Sequence, residues 1–309
     1  MNQRARSLWK CRPLSLVGLV AVLLALRTSV ALADEPVAIK TVVAPGTTNM
    51  VAQSPWQRIV MIGASATAGF TGSEPFGGTN TPMYALNRYV DAALTVSHEP
   101  VQNLGNAFFF FQPQLVGQQQ ITRALTNNPT LIIGLDFPFW FCYGEGDTDE
   151  ARLQRFEQGL KLLESIPCPL VVGDIPDASA AVDKMLRADQ MPSLQAIARA
   201  NERLKAWAAG RPNVGLVALS DFMRNALANR PITLRDYKLP EGQTRILIQG
   251  DALHPSPPGC SVLALAVLEA YQATRPAAPA EEFVRDPKAI FRKVFKPSAS
   301  ADISQPVSK

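Results

Sequence analysis

Apolar, largely β-branched runs recur along this chain, and a segment of helical apolar spacing follows nearly every one. That alternation limits the fold more than any other feature. Strand-like runs occupy residues 58–63, 101–104, 130–134, 170–173 and 214–219. Helical spacing occupies 83–96, 112–126, 150–165, 194–209 and 258–274, with Pro257 and Pro258 near the start of the last, where proline is tolerated. Residues 246–248 form one further short extended candidate. The run Thr130-Leu131-Ile132-Ile133-Gly134 is apolar at successive positions, as a strand covered on both faces must be. Strands of that kind alternating with helices predict a parallel sheet between two helical layers. Crossovers should be right-handed, and a ligand crevice should lie outside the carboxyl ends of the strands.

The N-terminus stands apart from this pattern. Arg4, Arg6, Lys10 and Arg12 precede an almost purely apolar stretch, residues 14–26, and Ala31-Leu32-Ala33 then precedes Asp34. A positive region, a short apolar core and a small-residue site read as a secretory signal peptide over 1–33. The competing reading is an uncleaved anchor, but a span needs roughly 20 apolar residues and Arg27 interrupts this one. An exported protein, periplasmic or secreted, is therefore expected, with no stable transmembrane segment after cleavage. The formal charge of the whole chain is +4, and residues 1–33 hold five cations and no acid, so the remainder carries −1. The basic balance thus belongs to the signal segment and offers no surface for nucleic acid.

Residues 34–54 read as a linker and 55–275 as the folded domain. Residues 276–309 read as a Pro/Ala/Ser-rich C-terminal tail with at most one short surface helix; its basic patch of Arg292, Lys293 and Lys296 is the alternative, an envelope-surface contact. Beyond Cys11, three cysteines remain. Cys142 follows the third strand and Cys168 precedes the fourth, which puts them at opposite sheet ends, roughly 17 Å apart, beyond disulfide reach. A Cys142–Cys260 pair stays open at this stage.

Two short segments carry chemistry. Ser65 lies in Gly63-Ala64-Ser65-Ala66, directly after the first strand, on the crevice side. The plain reading is a cap or turn serine; the chemical one is a nucleophile, which needs a general base beside it. Asp251-Ala252-Leu253-His254-Pro255 offers that base, with a carboxylate three residues before an imidazole. Only His98 and His254 are present, and His98 reads as surface, so any histidine base is His254. Two histidines also argue against a multi-histidine metal site, and no metal is expected.

These segments together resemble the four blocks of the SGNH, or GDSL, hydrolases. Gly63-Ala64-Ser65-Ala66 resembles the first block, Asn103-Leu104-Gly105 the second, Gly134-Leu135-Asp136 the third and Asp251-Ala252-Leu253-His254-Pro255 the last, in the family's order and at strand ends. The resemblance implies a flavodoxin-like three-layer α/β/α fold with a central, mainly parallel five-stranded sheet. It implies no cofactor, and an acyl ester as substrate: a small molecule, a lipid or an acylated glycan. It further implies Ser65 as nucleophile, His254 as acid-base, Asp251 as its orienting carboxylate, and the N–H groups of Ser65 and Gly105 as oxyanion donors, each worth about 3 kcal/mol. Related alternatives are an O-acyltransferase of envelope polysaccharide and a binding or scaffold protein on the same fold with decayed chemistry.

The sequence departs from the blocks at two positions. Ala64 replaces an aspartate outside the triad, and Asp136 replaces the asparagine that donates the third oxyanion bond. An ionised aspartate has no donor. Three readings stand open: Asp136 is protonated beside Phe137, Phe139 and Trp140, or it points elsewhere while two backbone donors suffice, or the site is impaired. The aromatic stretches 108–111 and 137–141 read either as core beneath loops or, through Phe137, Phe139 and Trp140, as an apolar substrate wall. The acidic residues Glu145, Asp147, Asp149 and Glu150 lack calcium-loop spacing and read as a solvated loop. Asp174 and Asp177, after the fourth strand, receive no role.

Overall fold

The computed structural model describes residues 54–145, 148–235 and 237–295. The signal-like segment, the linker up to residue 53, Asp147, and the end of the tail with Lys296 lie outside the described residues.

Five parallel strands form the sheet: β1 (Ile59–Met61), β2 (Gln102–Asn103), β3 (Leu131–Gly134), β4 (Leu170–Gly173) and β5 (Val214–Val217), in the order β2-β1-β3-β4-β5. Side-chain alternation divides the core in two. Ile59, Met61, Leu131, Ile133, Val171 and Val217 face one layer, and Val60, Ile62, Ile132, Leu170 and Val172 face the other. The first layer holds α2 (Leu86–Ala93), α8 (Pro257–Ala273) and α9 (Pro287–Phe295). The second holds α3 (Pro113–Thr126), α4 (Phe139–Cys142), α5 (Asp149–Glu164) and α6 (Leu194–Ala209). This is a three-layer α/β/α fold, as the alternation requires.

The chain leaves β1 toward β2 and returns on the other side to β3. The strand order therefore reverses between β1 and β3, and the crevice opens at their carboxyl ends. A four-residue helix, α1 (Ser65–Ala68), starts at that point. On the far edge α7 (Leu219–Leu227) follows β5, and a small hairpin, β6 (Ile232–Thr233) with β7 (Lys238–Leu239), leads toward α8.

Three expectations change. Residues 245–247 form a helical turn instead of an extended piece, because Asn229 accepts from the Thr244 and Arg245 backbone N–H groups and curls the chain there. The packed domain continues past 275: Phe283 pairs with Leu94, and Phe283, Ile290 and Val294 are buried in the first layer. The helix in that region is amphipathic and docked, with Arg292 and Lys293 in its last turn. The Cys142–Cys260 pair is also excluded, since Cys142 belongs to the second layer and Cys260 to the first, with the sheet between them. All three cysteines are free, and burial pushes the Cys142 thiol up to about 12 and Cys168 up to about 11.

Candidate active site

The turn that carries Ser65 begins with Gly63, whose φ is +144°. A Cβ there would stand 2.1 Å from Asp136 Oδ1 and 2.9 Å from Thr67 Oγ1, so only glycine fits. Gln120, buried on α3, locks the same residue from the second layer. Gly63 N–H donates to Gln120 Oε1 at 2.9 Å, and Gln120 Nε2 donates to Gly63 O at 2.8 Å.

Helix α1 has Ala64 at its N-cap, which has no side-chain oxygen to cap the first turn. Asp136, in the loop after β3, supplies that oxygen from across the switch point. Its Oδ1 accepts from Ala64 N–H at 3.0 Å and from the Thr67 hydroxyl at 2.6 Å. Its Oδ2 accepts from Ala66 N–H at 2.9 Å and Thr67 N–H at 3.2 Å. Four donors converge on one buried carboxyl group, which matches the acceptor capacity of a carboxylate. Asp136 is therefore a brace under the serine turn, with no group to offer an oxyanion.

Across the crevice, His254 is 3% exposed and sits in the loop before α8. Ser65 Oγ lies 2.8 Å from His254 Nε2, and His254 Nδ1 lies 2.8 Å from Asp251 Oδ2. A carboxylate can only accept, so Nδ1 carries the ring proton and Nε2 is left to accept from the serine hydroxyl. Asp251 Oδ1 accepts the N–H groups of Leu253 and His254 at 2.9 and 3.0 Å, and Ala252 adopts a φ of 62° to close this turn. Burial alone would raise the Asp251 carboxyl, but the His254 ring and the two backbone donors outweigh it and hold the group below the usual carboxylate range.

Two residues that the sequence did not point to hold the imidazole. Phe70 stacks on the His254 ring with centroids 4.1 Å apart. Gln249 Nε2 donates to the carbonyls of Phe70 and Pro255 at 2.8 and 2.9 Å, which ties the histidine loop to the end of the serine turn. A polar residue with a single-residue signal in an irregular loop leaves no periodicity to read.

Gly105 lies against α1, where a Cβ would stand 2.7 Å from Ala68 N. Its N–H donates to Asn103 Oδ1 at 2.8 Å, so it is engaged within its own loop. Ser65 N–H, by contrast, donates to no acceptor among the described residues. Of the three aromatics in the proposed wall, Phe139 and Trp140 border the crevice, whereas Phe137 does not. Phe137 is fully buried against Phe109 and Phe141, because the start of α4 turns it into the core. His98 is held at the edge of the first layer, 3.3 Å from Asp91, far in the chain from this site. Among the described residues no group of His, Cys, Asp and Glu side chains is arranged to hold a metal ion.

Space opens on both sides of the Ser65–His254 pair. On one side is a slot of about 520 Å³, counting its open mouth, bordered by Leu135, Phe139, Trp140, Pro176 and Leu253. On the other is an outer chamber of about 460 Å³ that reaches Phe70, Ala107, Phe110, Met185 and Gln190. Buried Arg152 shapes the rim of that chamber, donating to the carbonyls of Gly144, Asp189 and Gln190.

No protein-family model matches this sequence, and no curated protein matches it. Among solved structures, the chain is similar to a lipase/acylhydrolase from Enterococcus faecalis at 16% identity and a TM-score of 0.49, covering 72% of this chain and 98% of that one. It is similar to a GDSL-like lipase from Bacteroides thetaiotaomicron at 13% identity and a TM-score of 0.41, covering 72% and 89%. It is also similar to an acetyl-xylooligosaccharide esterase from Geobacillus at 15% identity and a TM-score of 0.42, covering 70% and 94%. At these identities the similarity is one of fold.

Proposed function

We propose that this protein is an exported serine ester hydrolase of the SGNH type. The observation that carries the proposal is the continuous chain from Ser65 Oγ through His254 to Asp251, with both contacts at 2.8 Å. In this reading Ser65 Oγ attacks the acyl carbonyl while His254 Nε2 takes its proton. The C–O bond to the alcohol breaks, and His254 returns the proton to the leaving oxygen. Water then attacks the acyl-enzyme and gives a proton to His254, which passes it to Ser65 Oγ as the bond from Oγ to the acyl carbon breaks and the carboxylic acid leaves. Asp251 stabilises the imidazolium and keeps its tautomer. The unengaged Ser65 N–H serves the oxyanion. Gly105 can add a second donor only by exchanging Asn103 Oδ1 for that oxyanion.

The reading with decayed chemistry loses its motive, because Asp136 has a structural task under the turn. Transfer of the acyl group to a sugar hydroxyl instead of water differs only in what enters the outer chamber. A fluorophosphonate probe should label the purified protein and spare Ser65→Ala. Equal labelling of both would remove Ser65 from the reaction. Export is tested separately: the protein recovered from the cell envelope should begin at Asp34.

A further inference from the structure

Helix α9 carries a different pattern on each side. Pro287, Ile290 and Val294 are buried and seat the helix on α2 and α8. The outward stripe runs through Lys288, Phe291, Arg292 and Phe295, at the i, i+3, i+4 and i+7 spacing of a single helix face. Lys288 and Arg292 are exposed. Phe295 is 39% exposed and stacks on the half-buried Phe291, with centroids 4.5 Å apart. Ile246, 65% exposed, borders the same groove as Lys288, Phe291 and Arg292. One exposed apolar residue needs no explanation. Here the exposed apolar groups share one face with cations, and α9 contains no acid.

Charge is segregated in the same way. Residues 236–246 and 286–296, the stretches that meet at this groove, hold six cations and three acids, a surplus of three. The chain after residue 33 sums to −1, so its remaining residues stand at −4. Arg292 pairs with Asp286 only at 3.7 Å, with both groups largely exposed, which leaves most of the cation's field in place. Lys293 Nζ donates to the Ala92 carbonyl, which has no charge to cancel it. A second copy of this chain would set like charges against one another on this face. A soluble polyanion would engage the cations and leave Ile246 and Phe295 in water. An anionic bilayer engages both, with lipid phosphates on the cations and the apolar groups at the acyl boundary.

We propose that α9 and Ile246 form a docking surface for an anionic phospholipid bilayer. The inner stripe of the helix stays in the domain core, and the outer stripe meets the lipid. Each cation contributes about fivefold in partition to an anionic surface, screened over a Debye length of roughly 8 Å at physiological salt. Ile246 and Pro258, both at the groove, flank the turn over 249–255, so the docked bilayer lies beside the chain segment that carries His254. The surface does not depend on Ser65 being a nucleophile.

The experiment is co-sedimentation with lipid vesicles. It uses the chain from Asp34 onward, which holds the whole packed domain and lacks the apolar stretch 14–26. Vesicles of phosphatidylcholine alone are compared with vesicles of phosphatidylcholine and phosphatidylglycerol in equal parts. Binding should occur only to the mixed vesicles and should be lost in about 0.5 M sodium chloride, where the Debye length falls to roughly 4 Å. Lys288→Gln combined with Arg292→Gln should weaken it about 25-fold, and Phe295→Ser about fivefold. Lys161→Gln combined with Lys205→Gln, exposed on α5 and α6 in the opposite layer, should bind as the unmutated protein does, and so should Ser65→Ala. No binding to the mixed vesicles at low salt overturns the proposal. An equal loss in the Lys161 and Lys205 pair overturns the assignment to α9. Full vesicle binding by Phe295→Ser, with heparin competing as well as lipid, identifies a general polyanion site and overturns the bilayer. The lipid preference of the unmutated protein stands as a readout even if a variant fails to fold.

Discussion

Asp136→Asn is the sharpest perturbation of the serine turn, because it changes one heavy atom and no volume. The carboxylate receives two donors on each oxygen. An amide can satisfy only one of these pairs with its oxygen. The better orientation keeps the oxygen on the Ala66 and Thr67 N–H groups and turns the NH2 toward the Thr67 hydroxyl, which can rotate to accept. Ala64 N–H is then left facing a donor. One orphaned buried N–H costs about 1–3 kcal/mol, and exchanging a charged acceptor for a neutral one weakens the remaining two bonds by about 1 kcal/mol each. Relief of the buried charge offsets part of this, so a net loss of about 3 kcal/mol is expected. For a domain of this size that lowers Tm by roughly 10 °C. The turn should also loosen, and a displacement of Ser65 by about 1 Å lowers kcat/KM on the order of a hundredfold. The assay is thermal unfolding beside ester turnover, with Thr67→Val as the second arm of a double-mutant cycle. An unchanged Tm with faster turnover would refute the reasoning, since it would mean that the carboxylate opposes the oxyanion instead of bracing the turn.

Gly63→Ala should fail to give folded protein at yields comparable to wild type, because the added carbon collides with Asp136 and Thr67; normal yield and activity would show that the turn adapts. Gln120→Ala should leave Gly63 N–H and O unpaired in a buried site and cost about 2 kcal/mol, read by denaturant unfolding. Asp251 has a lowered carboxyl pKa in the folded chain, so its stabilisation is fully present above the ordinary carboxylate value of about 4 and is lost as pH falls through the lowered value. The Tm gap between wild type and Asp251→Asn should therefore be widest near neutrality and close on acidification. A gap that is constant with pH would place the effect outside this ionisation.

The sheet was legible because five apolar runs with helical segments between them admit few arrangements. The helix over 194–209 was read to the residue, and α3, α5 and α8 to within one or two, since each is long enough for its apolar face to repeat. Short helices escaped. Helices α1, α4 and α7 run four, four and nine residues, lengths at which packing, not propensity, decides. The docked stretch at 280–295 was hidden by its proline- and alanine-rich approach. In the site, the contact of Asp251 with His254 could be read because the two lie three residues apart in one turn. The task of Asp136 could not, because the sequence does not say which way one side chain turns at the end of a strand. Nor could Phe70 and Gln249, whose contacts with His254 and its loop exist only once two distant loops meet.

Ser65 and His254 are mounted on separate supports. Gln120 and Asp136 hold the start of the serine turn from the neighbouring helix and the loop after β3, and residues 249–255 reach only Ser65 Oγ and Phe70. The imidazole side is shaped by its own internal turn and touches the other half through the hydroxyl, one stacked ring and one glutamine. A substitution at His254 or Asp251 therefore leaves the Gln120 and Asp136 bonds to the Ser65 turn in place. The same scaffold is therefore free to change its chemistry without first having to unlearn its shape.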